Sequence, residues 1–175
     1  MKKHLLLYMV LCMGVLCSCG DKKEYRPSQF PDAQSKQNYS FAIPYQNKND
    51  QIIVRIRFNG GPQFEALWDS GCNLPLKISS SEADMLKNKG LLSENDYKRN
   101  TPVTVANGQT ANYAVYLIKT ISFTDTEGVE HTLSNIEAIV DDNVTTSVLI
   151  GSPVMRKLGY SYEIDQYNQH IYYKE

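Results

Sequence analysis

Three consecutive residues, Asp69-Ser70-Gly71, follow the apolar run Phe64 to Trp68 and set the chemistry open to this chain. A carboxyl group delivered by an apolar strand faces a low-dielectric wall, which suits it to proton transfer. Two carboxyls about 3 Å apart cannot both ionise, so they share one proton and divide the roles of base and acid. Such a pair titrates as a unit. Gly71 lets backbone approach the carboxylate with no Cβ in the way, and Ser70 adds a hydroxyl that donates and accepts. Cys72 comes next, and a thiol with His131 or His170 as base is a second chemistry. No local cysteine-nucleophile signature surrounds it, and both histidines fall in strand-like runs where structural roles are commoner. Asp141-Asp142-Asn143 is a candidate cation site without a spaced ligand set, and reads instead as a solvated loop. No metal or cofactor is expected.

The elements that must position these residues are mostly strands. Ile52 to Phe58 alternates Ile, Val and Arg as a half-buried strand does. Asn59-Gly60-Gly61-Pro62 supplies positive-φ residues for a turn into Gln63 to Trp68. Val103 to Ala106 runs into Asn107-Gly108, a strong hairpin signal, with Thr110 to Ile118 as the return strand. Ile121 to Thr124 and Val129 to Leu133 flank Asp125-Thr126-Glu127-Gly128, and Asn135 to Val140 and Val148 to Ile150 are further strands. Tyr160 to Ile164 and Gln169 to Tyr173 form a closing hairpin. Two helices interrupt the strands. Ser79 and Glu82 make a capping box for one that stops at Gly90, while Ser152-Pro153 sets the N-cap and first turn of one that runs through Leu158 to Gly159. The 12 tyrosines, Tyr160, Tyr162, Tyr172 and Tyr173 among them, read as strand formers with a wet end. The fold class is all-β, a closed or nearly closed barrel of short strands and hairpins with two short helices.

Ahead of this lies an address. Lys2 and Lys3 precede the apolar stretch Leu5 to Leu16, too short to span a bilayer. Leu16-Cys17-Ser18-Cys19-Gly20 then resembles a bacterial lipobox, which implies cleavage before Cys19 and lipidation of its thiol. Residues 1–18 read as a signal peptide, 19–38 as a polar flexible tether, and 39–175 as the folded domain. The expected location is the bacterial cell envelope, with the protein tethered to a membrane rather than crossing it. Cys72 is then the one thiol left, so the core must hold by packing without internal disulfides. With 18 basic and 19 acidic residues, the chain carries no electrostatic footprint for nucleic acid.

Taken together, the strand ending in Asp69-Ser70-Gly71 and the later Ser147-Val148-Leu149-Ile150-Gly151 resemble the two halves of a retropepsin-like aspartic protease core. The resemblance covers about Gln51 to Tyr173. It implies that Asp69, Ser70 and Gly71 form the catalytic loop, that Asn107, Gly108 and Gln109 form a flap, and that Leu149, Ile150 and Gly151 support the loop from behind. In that family Ser70 would lock two such loops together, and the strand after the second helix ends in an acidic residue, here Asp165. A single Asp-Ser-Gly implies a homodimer whose two-fold axis brings together Asp69 from both copies. The implied activity is endopeptidase hydrolysis of a peptide or protein substrate. Three positions depart from the family pattern: Trp68 is bulky, Cys72 replaces a smaller residue, and Ser152-Pro153 stands where viral members carry Arg and Asp or Asn. A non-catalytic lipoprotein using the same barrel to bind a peptide or partner is the alternative, favoured by the Trp68 and Cys72 framing.

Overall fold

The computed structural model describes residues 39–104, 108, 110–142 and 148–174. The expected signal peptide (residues 1–18) and tether (19–38), with Cys19, and also Asn107, Gln109 and Asn143, lie outside the described residues.

Strands β1 (Phe41–Lys48), β2 (Gln51–Phe58) and β3 (Gln63–Asp69) open the domain as an antiparallel meander. Asn49 and Asp50 both take positive φ in the first turn, as do Asn59 and Gly60 in the second, the backbone that suits a tight hairpin. After β3 come β4 (Leu76–Ile78), helix α1 (Ser80–Asn88) and a 3₁₀ turn (Glu94–Asp96). The hairpin of β5 (Tyr97–Thr104) and β6 (Thr110–Thr124) follows, then β7 (Glu130–Val140) and β8 (Val148–Gly151). Helix α2 (Ser152–Leu158) leads into the closing hairpin of β9 (Ser161–Asp165) and β10 (His170–Lys174).

The strand order β2-β3-β8-β4-β7-β6 returns on itself where β6 pairs with β2 through Ile56–Phe123, Arg57–Ser122 and Phe58–Ile121, closing a six-stranded barrel. Closure removes the edges that an open sheet would expose. Outside the barrel, β1 carries β10 and β9 on its free side, and β6 extends beyond it to carry β5. The core is apolar, with Ile56, Phe58, Leu76, Ile78, Ile118 and Phe123 fully buried.

Several sequence expectations need correction. The runs Thr110–Ile118 and Ile121–Thr124 are one continuous strand, β6, and the runs on either side of Ser134 are likewise one strand, β7. Asn135 sits inside β7 with positive φ, a local kink that makes the pattern look interrupted while the register with β6 is the same on both sides. Strand β1, the short β4 and the first half of β5 were not expected as strands. The N-cap of α2 is Gly151, with Ser152 and Pro153 already helical, because the Ser152 N–H is satisfied by the Cys72 carbonyl at 2.9 Å. Gly159 after α2 has extended φ; its need is close packing, since a Cβ there would lie 2.5 Å from the Lys174 carbonyl oxygen. Tyr173 has no wet end: it is fully buried and its hydroxyl has no hydrogen-bond partner among the described residues. The capping box of α1, by contrast, forms as expected between Ser79 and Glu82.

Candidate active site

Alternation along β3 decides where Asp69 points. Phe64, Ala66 and Trp68 face the core, and the two-residue period hands the next side chain, Asp69, to the opposite face at the end of the strand. Trp68 explains its own bulk. It is buried and packs edge-on against Phe123, Tyr162 and Tyr173, so it pegs the last turn of β3 into the core. Its indole N–H finds no partner among the described residues, a cost of about 1–3 kcal/mol that the buried ring area offsets.

The loop after Asp69 folds back over the carboxylate. Gly71 N–H donates to Asp69 Oδ1 at 3.0 Å, and Cys72 N–H donates to the Asp69 carbonyl at 3.2 Å. A Cβ on Gly71 would lie 3.3 Å from that same Oδ1, tight enough to disturb the contact, which is the close approach expected of this glycine. Ser70 and Gly71 are exposed, while Asp69 and Cys72 are half-buried.

Strand β8 lies parallel to β3, with Leu149 beside Leu67, Ile150 beside Trp68 and Gly151 beside Asp69. The loop crosses Gly151 so closely that a Cβ there would stand 1.9 Å from the Leu74 carbonyl oxygen and 2.7 Å from that of Cys72. Gly151 N–H donates to Pro75 O at 3.1 Å and Ser152 N–H to Cys72 O at 2.9 Å. Main-chain bonds alone therefore seat this loop on the start of α2.

Asp69 opens on a cleft of about 680 Å³. One wall is the loop from Gly71 to Leu74, the floor carries Lys77, Ile139, Asp141 and Leu149, and Pro102, Val103, Thr104 and Tyr113 of the β5–β6 hairpin form the facing wall. The hairpin is where the flap was expected. Its ladder runs to Thr104–Thr110, whose hydroxyls lie 2.8 Å apart, and Gly108 in the tip has positive φ. The base of the hairpin is tied to β7 by a bidentate Arg99–Glu137 pair with both contacts at 2.7 Å.

The competing chemistries find no support in this geometry. Burial pushes the Cys72 thiol up; contact with Leu74 opposes this, the Asp69 carboxylate adds to it and the Lys77 charge subtracts, leaving a protonated, poorly nucleophilic group. His131 is committed elsewhere: its Nε2 lies 2.8 Å from Asp125 Oδ2 and its ring stacks on Phe41. His170 contacts Tyr172 on β10. Asp141 is not solvated as expected but buried, 3.4 Å from Lys77 Nζ, and Asp142 caps α1 by accepting from Ser80 N–H and Oγ–H at 2.7 and 2.6 Å. Among the described residues no cluster of three or more His, Cys, Asp or Glu is placed to hold a metal. Sequence reasoning missed Lys77 and Asp141 as cleft residues. The alternation Leu76-Lys77-Ile78 was the available signal, a three-residue strand with its middle side chain turned away from the core.

A crystal structure of a retropepsin-like aspartic protease from Rickettsia conorii is similar to this fold, with a TM-score of 0.50 and 14% sequence identity over 75% of this chain and 89% of that one. No model of a known protein family and no curated protein matches the sequence. The likeness is one of fold, and it makes this barrel retropepsin-like.

Proposed function

We propose that the chain is an aspartic-type endopeptidase that works as a homodimer, with Asp69 of each copy forming the catalytic dyad. The observation that carries this reading is the placement of Asp69, at the end of β3, beside Gly151, beneath its own folded-back loop and open to a hairpin-walled cleft. One such loop supplies one carboxylate. The exposed Ser70 and Gly71 are the surface on which a second copy would bring its own loop, and Ser70 the hydroxyl that would join the two.

In the dyad one carboxylate is ionised and the other carries the shared proton. The ionised member takes a proton from water as its oxygen bonds to the scissile carbonyl carbon, while the other donates its proton to the carbonyl oxygen. The tetrahedral diol then collapses: a proton passes to the amide nitrogen, the C–N bond breaks, and the dyad again holds one proton. The substrate lies extended under the β5–β6 hairpin, and the hairpin pairs with its backbone as an added strand would.

We further propose that Cys19 carries a lipid anchor which tethers the domain to a membrane of the bacterial envelope through residues 20–38. Cys19→Ala should leave an unprocessed precursor without acyl mass. Intact-mass analysis that finds a mature, unlipidated terminus elsewhere in the native protein excludes the anchor.

The test of catalysis is Asp69→Asn, assayed on an unstructured protein at mildly acid pH. Asn keeps an acceptor for Gly71 N–H, so the fold should melt at the same temperature or slightly higher, while hydrolysis falls by orders of magnitude. Unchanged hydrolysis in the variant rejects the dyad. No hydrolysis by either protein makes a peptide-binding lipoprotein the better account.

A further inference from the structure

We propose that Arg55 and Arg57, on the outer face of β2, form an anion site for the phosphate group of a lipid headgroup, by which the domain lies against an anionic membrane. This rests on the reading of the chain as membrane-tethered.

Alternation sets the two arginines side by side. Along β2, Val54, Ile56 and Phe58 are buried in the barrel, so Arg55 and Arg57 share the opposite, outer face, and both are exposed. Two like charges so placed repel, and the neighbouring strand does little to neutralise them. Opposite Arg57 on β3 stands Gln63, which is uncharged. Opposite Arg55 stands Glu65, but both its carboxylate oxygens accept from Lys48 Nζ at 2.7 Å. Among the described residues the Arg55 side chain has no hydrogen-bond or ion-pair partner, and Arg57 makes one long contact, 3.5 Å from Nη1 to the Gly61 carbonyl oxygen. A hollow of about 480 Å³ is bordered by both arginines, with Gln46, Gln63 and Thr124 as further polar residues. The acidic residue on its border, Asp125, is buried and commits its carboxylate to the Glu127 and Val129 N–H groups and to His131.

Guanidinium groups hold phosphate through paired N–H donors, and two of them within reach of one anion suit its several oxygens. The tether decides where that phosphate comes from. The 20 residues 19–38 reach at most about 70 Å when fully extended, so an anchored domain stays beside headgroups at high effective concentration, and a shallow site suffices. The position on the barrel fits this use. Gln63 opens β3 and Asp69 ends it, about 20 Å farther along the strand, so contact at the arginines keeps the Asp69 end at a distance from the point of contact.

The experiment mixes the full chain with vesicles, treats it with phenylglyoxal, which modifies accessible arginines, and maps the modified residues by mass spectrometry. Vesicles of neutral phosphatidylcholine are compared with vesicles of phosphatidylcholine and anionic phosphatidylglycerol. On the anionic vesicles Arg55 and Arg57 should react about tenfold more slowly or less, because two arginines at such a surface shift the equilibrium toward contact by about thirtyfold. The exposed Arg156 of α2 should keep its rate. About 0.5 M salt should remove the protection. Equal rates on both kinds of vesicle, protection that persists in salt, or slowing of Arg156 to the same degree overturns the site. Equal protection by inorganic phosphate or by polyglutamate in place of anionic vesicles overturns the headgroup as occupant, in favour of a free phosphate or an acidic protein. Flotation keeps the anchor separate. Protein that floats with neutral vesicles but gains no protection on anionic ones retains the anchor and loses the site, while protection on anionic vesicles without flotation on neutral ones does the reverse.

Discussion

Gly151 has no side chain because the main chain of the loop after Asp69 occupies the place where one would be. A Cβ at 1.9 Å from the Leu74 carbonyl oxygen cannot be relieved by turning a rotamer, since the obstacle is backbone. Gly151→Ala should therefore cost about 1–3 kcal/mol or more of stability and displace the loop that carries Asp69. Denaturant unfolding of the variant checks the first part, and an unchanged midpoint would show that the loop is free to lift. At this scale the sequence was informative where the need was local. Asp69, Gly71 and Gly151 stand out because strand-end glycines have few other reasons to be there. Lys77 and Asp141 did not stand out. What makes them a pair is the parallel pairing of β4 with β7, and no short stretch of sequence records a partner strand so far along the chain.

Between β6 and β7 the turn is built around one buried carboxylate. Asp125 accepts from Glu127 and Val129 N–H at 2.9 and 2.8 Å through Oδ1 and meets His131 Nε2 through Oδ2, while Thr126 N–H ties the turn to the Ala42 carbonyl of β1. Burial alone would raise the Asp125 carboxyl, but these donors outweigh it and hold it below its ordinary value of 3.8. The unfolded chain then takes up the proton first. The stabilisation is complete above about pH 4, where the unfolded carboxyl is ionised, and is lost as pH falls through the lower folded value. Asp125→Asn should be less stable at pH 7 by about 1–3 kcal/mol and should lose less on acidification from pH 5 to pH 2 than the parent. Parallel curves for the two proteins would contradict the assignment. The sequence placed this turn and the Asn59-Gly60 turn because turn residues carry their own geometry. It split β6 and β7 because periodicity breaks at a kink such as Asn135 even where the ladder continues. It passed over β1, whose turn is Asn49-Asp50 rather than a glycine pair.

For the molecule as a whole, the barrel and its all-β class were legible in the spacing of turns and alternation. The closing β2–β6 contact was not, because it joins strands with no connecting turn. If the dyad is shared between copies, activity belongs to the dimer. Specific activity should rise with protein concentration and level off as the dimer saturates, and sedimentation on the same samples should give a matching midpoint. Activity per chain that stays constant through a measured monomer–dimer transition contradicts the scheme. A common membrane would raise the local concentration and let a weak dimer suffice.

The parallel pairing of β3 with β8 also carries a timetable. The strand that ends in Asp69 is made early in synthesis, but its neighbour on one side, Val148–Gly151, leaves the ribosome only when most of the domain has been made. Until then the loop after Asp69 lacks the main-chain donors of Gly151 and Ser152, and the barrel lacks a stave. Contacts between such distant segments form late and slowly in folding. A nascent or truncated chain thus holds its carboxylate on an unfinished strand, and the loop after Asp69 takes its final seat only once β8 and the start of α2 have been made.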